Sequence, residues 1–94
     1  MANTVRFNQQ YPDLSRSKEL LEKARKIMTP VSQTMAKGPG QYSIGACPVY
    51  LSHGKGSRVW DVDGNEYLDL NAAIGPLSLG YGYPDVDNAI REQL

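Results

Sequence analysis

Asp61, Asp63 and Asn65, followed by Glu66, imitate the Asp-x-Asp-x-Asn-Gly opening of a calcium-binding loop. Such a loop needs glycine at its sixth position for the sharp turn and a bidentate glutamate at its twelfth to close the oxygen cage. Here the glycine, Gly64, stands fourth, and the twelfth residue, Ala72, has no side-chain oxygen, so the spacing favours a hairpin over a metal site. His53 is a solitary imidazole without an acid or thiol partner nearby in sequence, and reads as a turn-flanking residue rather than a catalytic base. Gly54-Lys55-Gly56 has the Gly-x-Gly form, but no helix follows to aim amides at a phosphate, and the glycines read as turn geometry. A self-contained enzyme working through His53 and the aspartates would need those groups to converge, which their spacing gives no reason to expect.

The elements that would position these groups are legible from periodicity. Trp60-Asp61-Val62 and Tyr67-Leu68-Asp69-Leu70 alternate in polarity around Asp63-Gly64, both of which can take positive φ in a tight turn. Alternation sets Trp60 and Val62 opposite Asp61 and Asp63, and Leu68 and Leu70 opposite Tyr67 and Asp69, so one side is built to be covered. Val49 and Leu51 predict a further strand ending at His53, with Gly54-Lys55-Gly56-Ser57 turning into Arg58-Val59-Trp60, which makes residues 48–71 a three-stranded antiparallel meander.

A helix is expected over residues 15–28, capped by Ser15 or Ser17 and helped by Glu19 in its positive first turn. Its apolar stripe is Leu20, Leu21, Ala24, Ile27 and Met28, with Lys18, Glu22, Lys23, Arg25 and Lys26 on a solvated face, and Pro30 ends it. Residues 1–14 form an aperiodic arm, and residues 29–47 a loop long enough to be either functional or ordered by a neighbour. Residues 72–84 make an apolar, glycine-rich connection carrying Tyr81 and Tyr83. Its small residues suit close approach by a ligand or another backbone, or a tight connection packed under the sheet, and composition does not separate these. A last helix over residues 85–94 gathers Val86, Ala89, Ile90, Gln93 and Leu94 on one face and meets no carboxyl-terminal cap, which predicts truncation.

Ninety-four residues suffice for one small α+β domain of marginal stability. Ten basic residues balance ten acidic ones, so nothing favours nucleic acid or an anionic membrane as a partner. A lone cysteine, Cys47, excludes an internal disulfide and fits a reduced, cytoplasmic setting. The polar start of the chain lacks the apolar stretch of a secretory signal, and no run approaches the length of a membrane span.

In order, the motifs resemble a known family. A helix ending near Pro30, a polar loop, Pro48-Val49-Tyr50-Leu51, Gly54-Lys55-Gly56, Trp60-Asp61-Val62-Asp63-Gly64-Asn65-Glu66-Tyr67-Leu68-Asp69, Gly75-Pro76, Leu79-Gly80-Tyr81 and Tyr83-Pro84-Asp85-Val86 together resemble the start of class III aminotransferases, the glutamate-1-semialdehyde 2,1-aminomutase branch in particular. The resemblance runs from about residue 20 to residue 94. It implies a fold-type I enzyme using pyridoxal 5'-phosphate, in which this chain forms part of the small domain, the enzyme is a homodimer, and an amino group passes between an amino acid and a keto or aldehyde substrate. It also implies that the Schiff-base lysine, the acidic partner of the pyridine nitrogen and the phosphate-binding loop lie outside this chain, which is then inactive alone and holds no cofactor.

For substrate binding, the resemblance implies Ser32, at the position where aminomutases carry a carboxylate-binding arginine, and Ile74 and Gly75, Ile74 replacing a usual aromatic residue. These changes imply altered specificity, toward an amino- or keto-sugar or another amino acid. The competing expectation is a free-standing α+β interaction module whose apolar Gly-Tyr loop binds a partner.

Overall fold

The structure is a computed structural model that describes residues 11–43 and 45–94. Most of the expected amino-terminal arm thus lies outside the described residues. The architecture is a helix, α1 (Ser15–Ile27), a sheet of three strands, β1 (Leu51–Lys55), β2 (Arg58–Asp61) and β3 (Glu66–Leu68), and a second helix, α2 (Pro84–Gln93). The strands run antiparallel in the order β1-β2-β3, as a meander should. No helix among the described residues is long and apolar enough to cross a membrane.

α1 forms where expected, but its start is held differently. Neither Ser15 nor Ser17 caps it, and Glu19 lies beyond its first turn. Instead Asp13 accepts the Ser15 amide at 3.0 Å, and Asp63, from the distant hairpin, accepts the amides of Arg16 at 2.7 Å and Ser17 at 3.0 Å. A carboxylate can cap a helix from anywhere in the chain, because it needs only to meet the orphan amides of the first turn. The buried stripe is Leu14, Ser17, Leu21 and Ala24, whereas Ile27 and Met28 are exposed. The helix ends with Met28 in extended backbone, ahead of Pro30. The following loop contains two single 3-10 turns, Met35–Lys37 and Pro39–Gln41.

β1 runs through Gly54 to Lys55, past the expected end at His53, and Lys55 pairs with Arg58 across a two-residue turn in which Gly56 has φ +58°. His53 is therefore a strand residue and does not flank the turn. The second hairpin also departs from expectation. The Gly64 amide donates to the Asp61 carbonyl at 3.2 Å and the Asp61 amide to the Asn65 carbonyl at 3.0 Å. Three residues thus make the connection, and of the Asp63-Gly64 pair only Gly64 takes positive φ.

The covered face of the sheet is not the expected one. Val59 pairs with Tyr67, and Val59 and Asp61 are buried, Asp61 with 2% of its surface exposed. Leu68 and Leu70 lie open, Leu70 at 88%. Burial follows hydrogen bonding here: Asp61 has enough donors around it to leave water. α2 starts one residue earlier than expected, with Pro84 in its first turn, and buries none of its residues.

Candidate functional site

A cleft of about 530 Å³ opens beside the covered face of the sheet, between Leu51, Val59 and Tyr67 and the flanking segments that bring Lys37, Tyr42, Cys47, Asp69, Ile74 and Tyr81. Its walls are chiefly apolar, as small-molecule clefts usually are. The acid and the phenols that border it, Asp69, Tyr42, Tyr67 and Tyr81, however, each have a structural partner in the chain.

Asp61 receives the amides of Asp63 at 2.9 Å and Asn65 at 2.8 Å on Oδ1, and the Asn65 side-chain amide at 2.8 Å and Tyr67 hydroxyl at 2.9 Å on Oδ2. Asp69 repeats the scheme with other partners. Its Oδ1 accepts the amides of Asn71 at 2.8 Å and Ala72 at 3.1 Å, and its Oδ2 the Tyr81 hydroxyl at 2.8 Å. Burial pushes both carboxyls up, but the donors outweigh it and hold each below the usual carboxylate value. Burial, together with the carboxylate each faces, pushes Tyr67 and Tyr81 up to about 12. At neutral pH these are ionised acceptors and protonated donors, set to hold structure and not to take a proton. The carboxylates that imitate a calcium loop are spent in the same way: Asp61 on its own turn and Asp63 on α1.

The glycines next to this network admit close approach. A β-carbon on Gly54 would lie 2.5 Å from the Tyr81 ring, and one on Gly80 would lie 2.7 Å from the Gly56 carbonyl. Tyr81 and Gly56 exchange both backbone hydrogen bonds, each at 2.9 Å. Of the alternatives left open for the glycine-rich connection, the structure has another backbone approach it. Gly54-Lys55-Gly56 is likewise more than a turn, since Gly54 is the seat of the Tyr81 ring.

Ile74 reaches the cleft wall and stays 53% exposed. It sits in a tight left-handed turn, with φ of +48° at Ala72, +52° at Ala73, +66° at Ile74 and +107° at Gly75. For residues bearing a β-carbon this conformation costs roughly 1–2 kcal/mol each. Gly75 is exposed and, like Ser32, lies outside the cleft lining. The Ser32 hydroxyl donates to the Thr34 carbonyl at 2.6 Å, and the neighbouring Val31 carbonyl accepts the Tyr50 hydroxyl at 3.3 Å. Of the three expected substrate residues, Ile74 is the one that lines this cleft. His53 stacks on Trp60 with ring centroids 4.7 Å apart, on the face opposite Val59, and its Nδ1 is 2.9 Å from the Ser52 hydroxyl.

Sequence reasoning missed Asp69, Tyr81 and Tyr42. Asp69 carried a usable signal: an aspartate two residues before Asn71 can fold back on the amides that follow it. The pairing of Tyr42 with Asn71, at 2.9 Å across 29 residues, had none.

The comparisons with known proteins agree with this fold. Residues 41–94 match the family described as aminotransferase class-III. The chain is 40% identical over 81 residues to the 3-aminobutyryl-CoA aminotransferase of Cloacimonas acidaminovorans, covering 86% of this chain and 19% of that protein. It is 39% identical over 80 residues to the glutamate-1-semialdehyde 2,1-aminomutase of Sulfurihydrogenibium azorense, covering 85% and 18%. Among solved structures it superposes on an omega-transaminase from Sphaerobacter thermophilus with TM-score 0.70 and 29% identity, over 84% of this chain and 17% of that one. A transaminase with PLP bound gives TM-score 0.72 and 31% identity, over 86% and 18%. The chain therefore spans less than a fifth of the length of the relatives it matches, and it belongs to the class III aminotransferase family.

Proposed function

We propose that this chain is a structural part of a pyridoxal-phosphate-dependent aminotransferase or aminomutase, one that moves an amino group between an amino acid and a keto or aldehyde substrate. In this reading residues 15–94 contribute to the small domain and to one wall of the substrate entrance, and the complete enzyme is a homodimer. The observation that carries it is the family match combined with a cleft whose acids and phenols are already committed to structure.

In this reading the chain's own glycines and aspartates do not hold the cofactor. The amide of Gly56 is bonded to Tyr81, and the Tyr81 ring fills the space over Gly54, so this Gly-x-Gly offers no phosphate cradle. Asp61 and Asp69 have donors on both oxygens and are not available to a pyridine nitrogen. In this reading the groups that hold pyridoxal phosphate belong to the rest of the enzyme. Among this chain's own residues, the apolar walls exclude water and the Asp–Tyr pairs fix the surfaces that face substrate. Ser32, uncharged and turned to the Thr34 carbonyl, offers no cation to a substrate carboxylate. Together with Ile74 and Gly75 it supports a specificity different from that of an aminomutase, toward an amino- or keto-sugar or another amino acid.

A free-standing interaction module is not favoured, because the relatives over the same stretch are much longer enzymes. Mixing the purified chain with pyridoxal phosphate and recording the absorbance spectrum tests the reading. The spectrum of free cofactor alone is expected. A protein-bound band with turnover of an amine would overturn it.

A further inference from the structure

Two arms of the structure meet at the Asp69 carboxylate. From one side come the amides of Asn71 and Ala72, which open the left-handed turn that carries Ile74. From the other comes the Tyr81 hydroxyl, on a residue paired with Gly56 through its backbone and seated on Gly54 through its ring. Two further hydrogen bonds, Ile74 amide to Asn71 carbonyl and Gly75 amide to Ala72 carbonyl, close within the turn, and the Leu77 amide reaches the Ala72 carbonyl at 3.3 Å from the segment that follows it. A run of three left-handed residues bearing β-carbons persists only when its surroundings hold it. Asp69 takes both amides at the entry of this one, with the Tyr42–Asn71 hydrogen bond beside it, and ties that entry to the sheet-bound Tyr81.

We propose that Asp69 and Tyr81 are positioning residues that set the conformation of the Ala72–Gly75 turn, and through Ile74 the substrate preference of the cleft. This rests on the reading that the cleft is a wall of the substrate entrance. Both border the cleft beside Ile74, and the role assigned to them here is exerted through the turn. A misplaced positioning group lowers the fraction of productive encounters, so the effect falls on the apparent affinity for substrate.

The experiment places the full chain in the matching segment of the Cloacimonas acidaminovorans 3-aminobutyryl-CoA aminotransferase and uses 3-aminobutyryl-CoA as probe. Tyr81→Phe keeps the ring on Gly54 and removes only the hydroxyl. It is expected to raise KM by about three- to tenfold with kcat within about twofold, and Asp69→Asn to raise KM further. Ile74→Ala separates the two readings. If Ile74→Ala moves KM while Tyr81→Phe and Asp69→Asn leave it unchanged, the positioning role is overturned and the entrance reading stands. If Ile74→Ala leaves KM unchanged, the entrance reading is overturned. A second measurement needs no activity: in the chain by itself, Tyr81→Phe should speed hydrogen exchange at the Asn71 and Ala72 amides by about tenfold. Unchanged exchange there overturns the positioning role.

Discussion

The two helices are equally one-sided in sequence, yet only one of them is packed. α1 is tied down at its amino terminus by polar groups. Asp63 takes two of its amides, the Asn65 side chain donates to the Asp13 carbonyl at 2.8 Å, and the Ser17 hydroxyl, on a residue 1% exposed, accepts the amides of Val49 at 3.0 Å and Tyr50 at 3.2 Å. Among the described residues α2 has no such anchor. Its apolar side, Val86, Ala89, Ile90 and Leu94, lies along an open groove, with Leu94 99% exposed. Amphipathicity marks which face can be buried, whereas the hydrogen bonds at a helix end decide where it docks. Among the described residues the start of α1 is hydrogen-bonded to the rest of the chain and the α2 face is left open.

That contrast can be broken or sharpened by substitution. The largest effect is expected from Asp61→Ala, which strands the Asp63 and Asn65 amides and the Tyr67 hydroxyl around a buried position in a half-buried turn. A loss of about 3 kcal/mol or more is expected, read from urea unfolding followed by circular dichroism. Acid should reproduce part of this. Asp61 and Asp69 both have folded-state pKa values below the ordinary 3.8, so their stabilisation is complete above that value and disappears as pH falls through the folded values. Unfolding midpoints should be flat from neutral pH down to about 5 and drop below about 4, and Asp61→Ala should flatten that drop.

Asp63→Ala comes next. It removes the remote cap of α1 and is expected to cost about 1 kcal/mol, with faster hydrogen exchange confined to the first turn of that helix. The smallest effect belongs to Ile90→Ser on α2, which should change the stability of the isolated chain by less than about 0.5 kcal/mol, since the side chain is not buried here. A cost above about 2 kcal/mol would mean that the α2 face is packed in solution, and the contrast between the helices would fail.

Much of this outcome could be read along the chain. The positions of α1, α2 and the three strands follow from apolar spacing, Pro30 and the turn residues, because those are local preferences. What went wrong depends on the folded turn and not on the alternation of residue types. The polar side of the hairpin became the buried one, since the amides, Asn65 and Tyr67 that make Asp61 tolerable in the interior are supplied by the folded turn. The candidate site was legible only in part. Ile74 reaches the cleft, but Ser32 and Gly75 do not line it, and nothing in residue spacing indicated Tyr42 or Tyr81.

By itself the sequence determined the elements and the family, through periodicity, turn chemistry and a combination of motifs that survives at about 40% identity. Only the tertiary structure decided which carboxylate caps α1, which sheet face is covered, and that Tyr81 closes over Gly54. The physical reason is one of range. Backbone preference acts over a few residues, whereas Asp63 caps α1 only once amides 46 and 47 positions away have been brought to it.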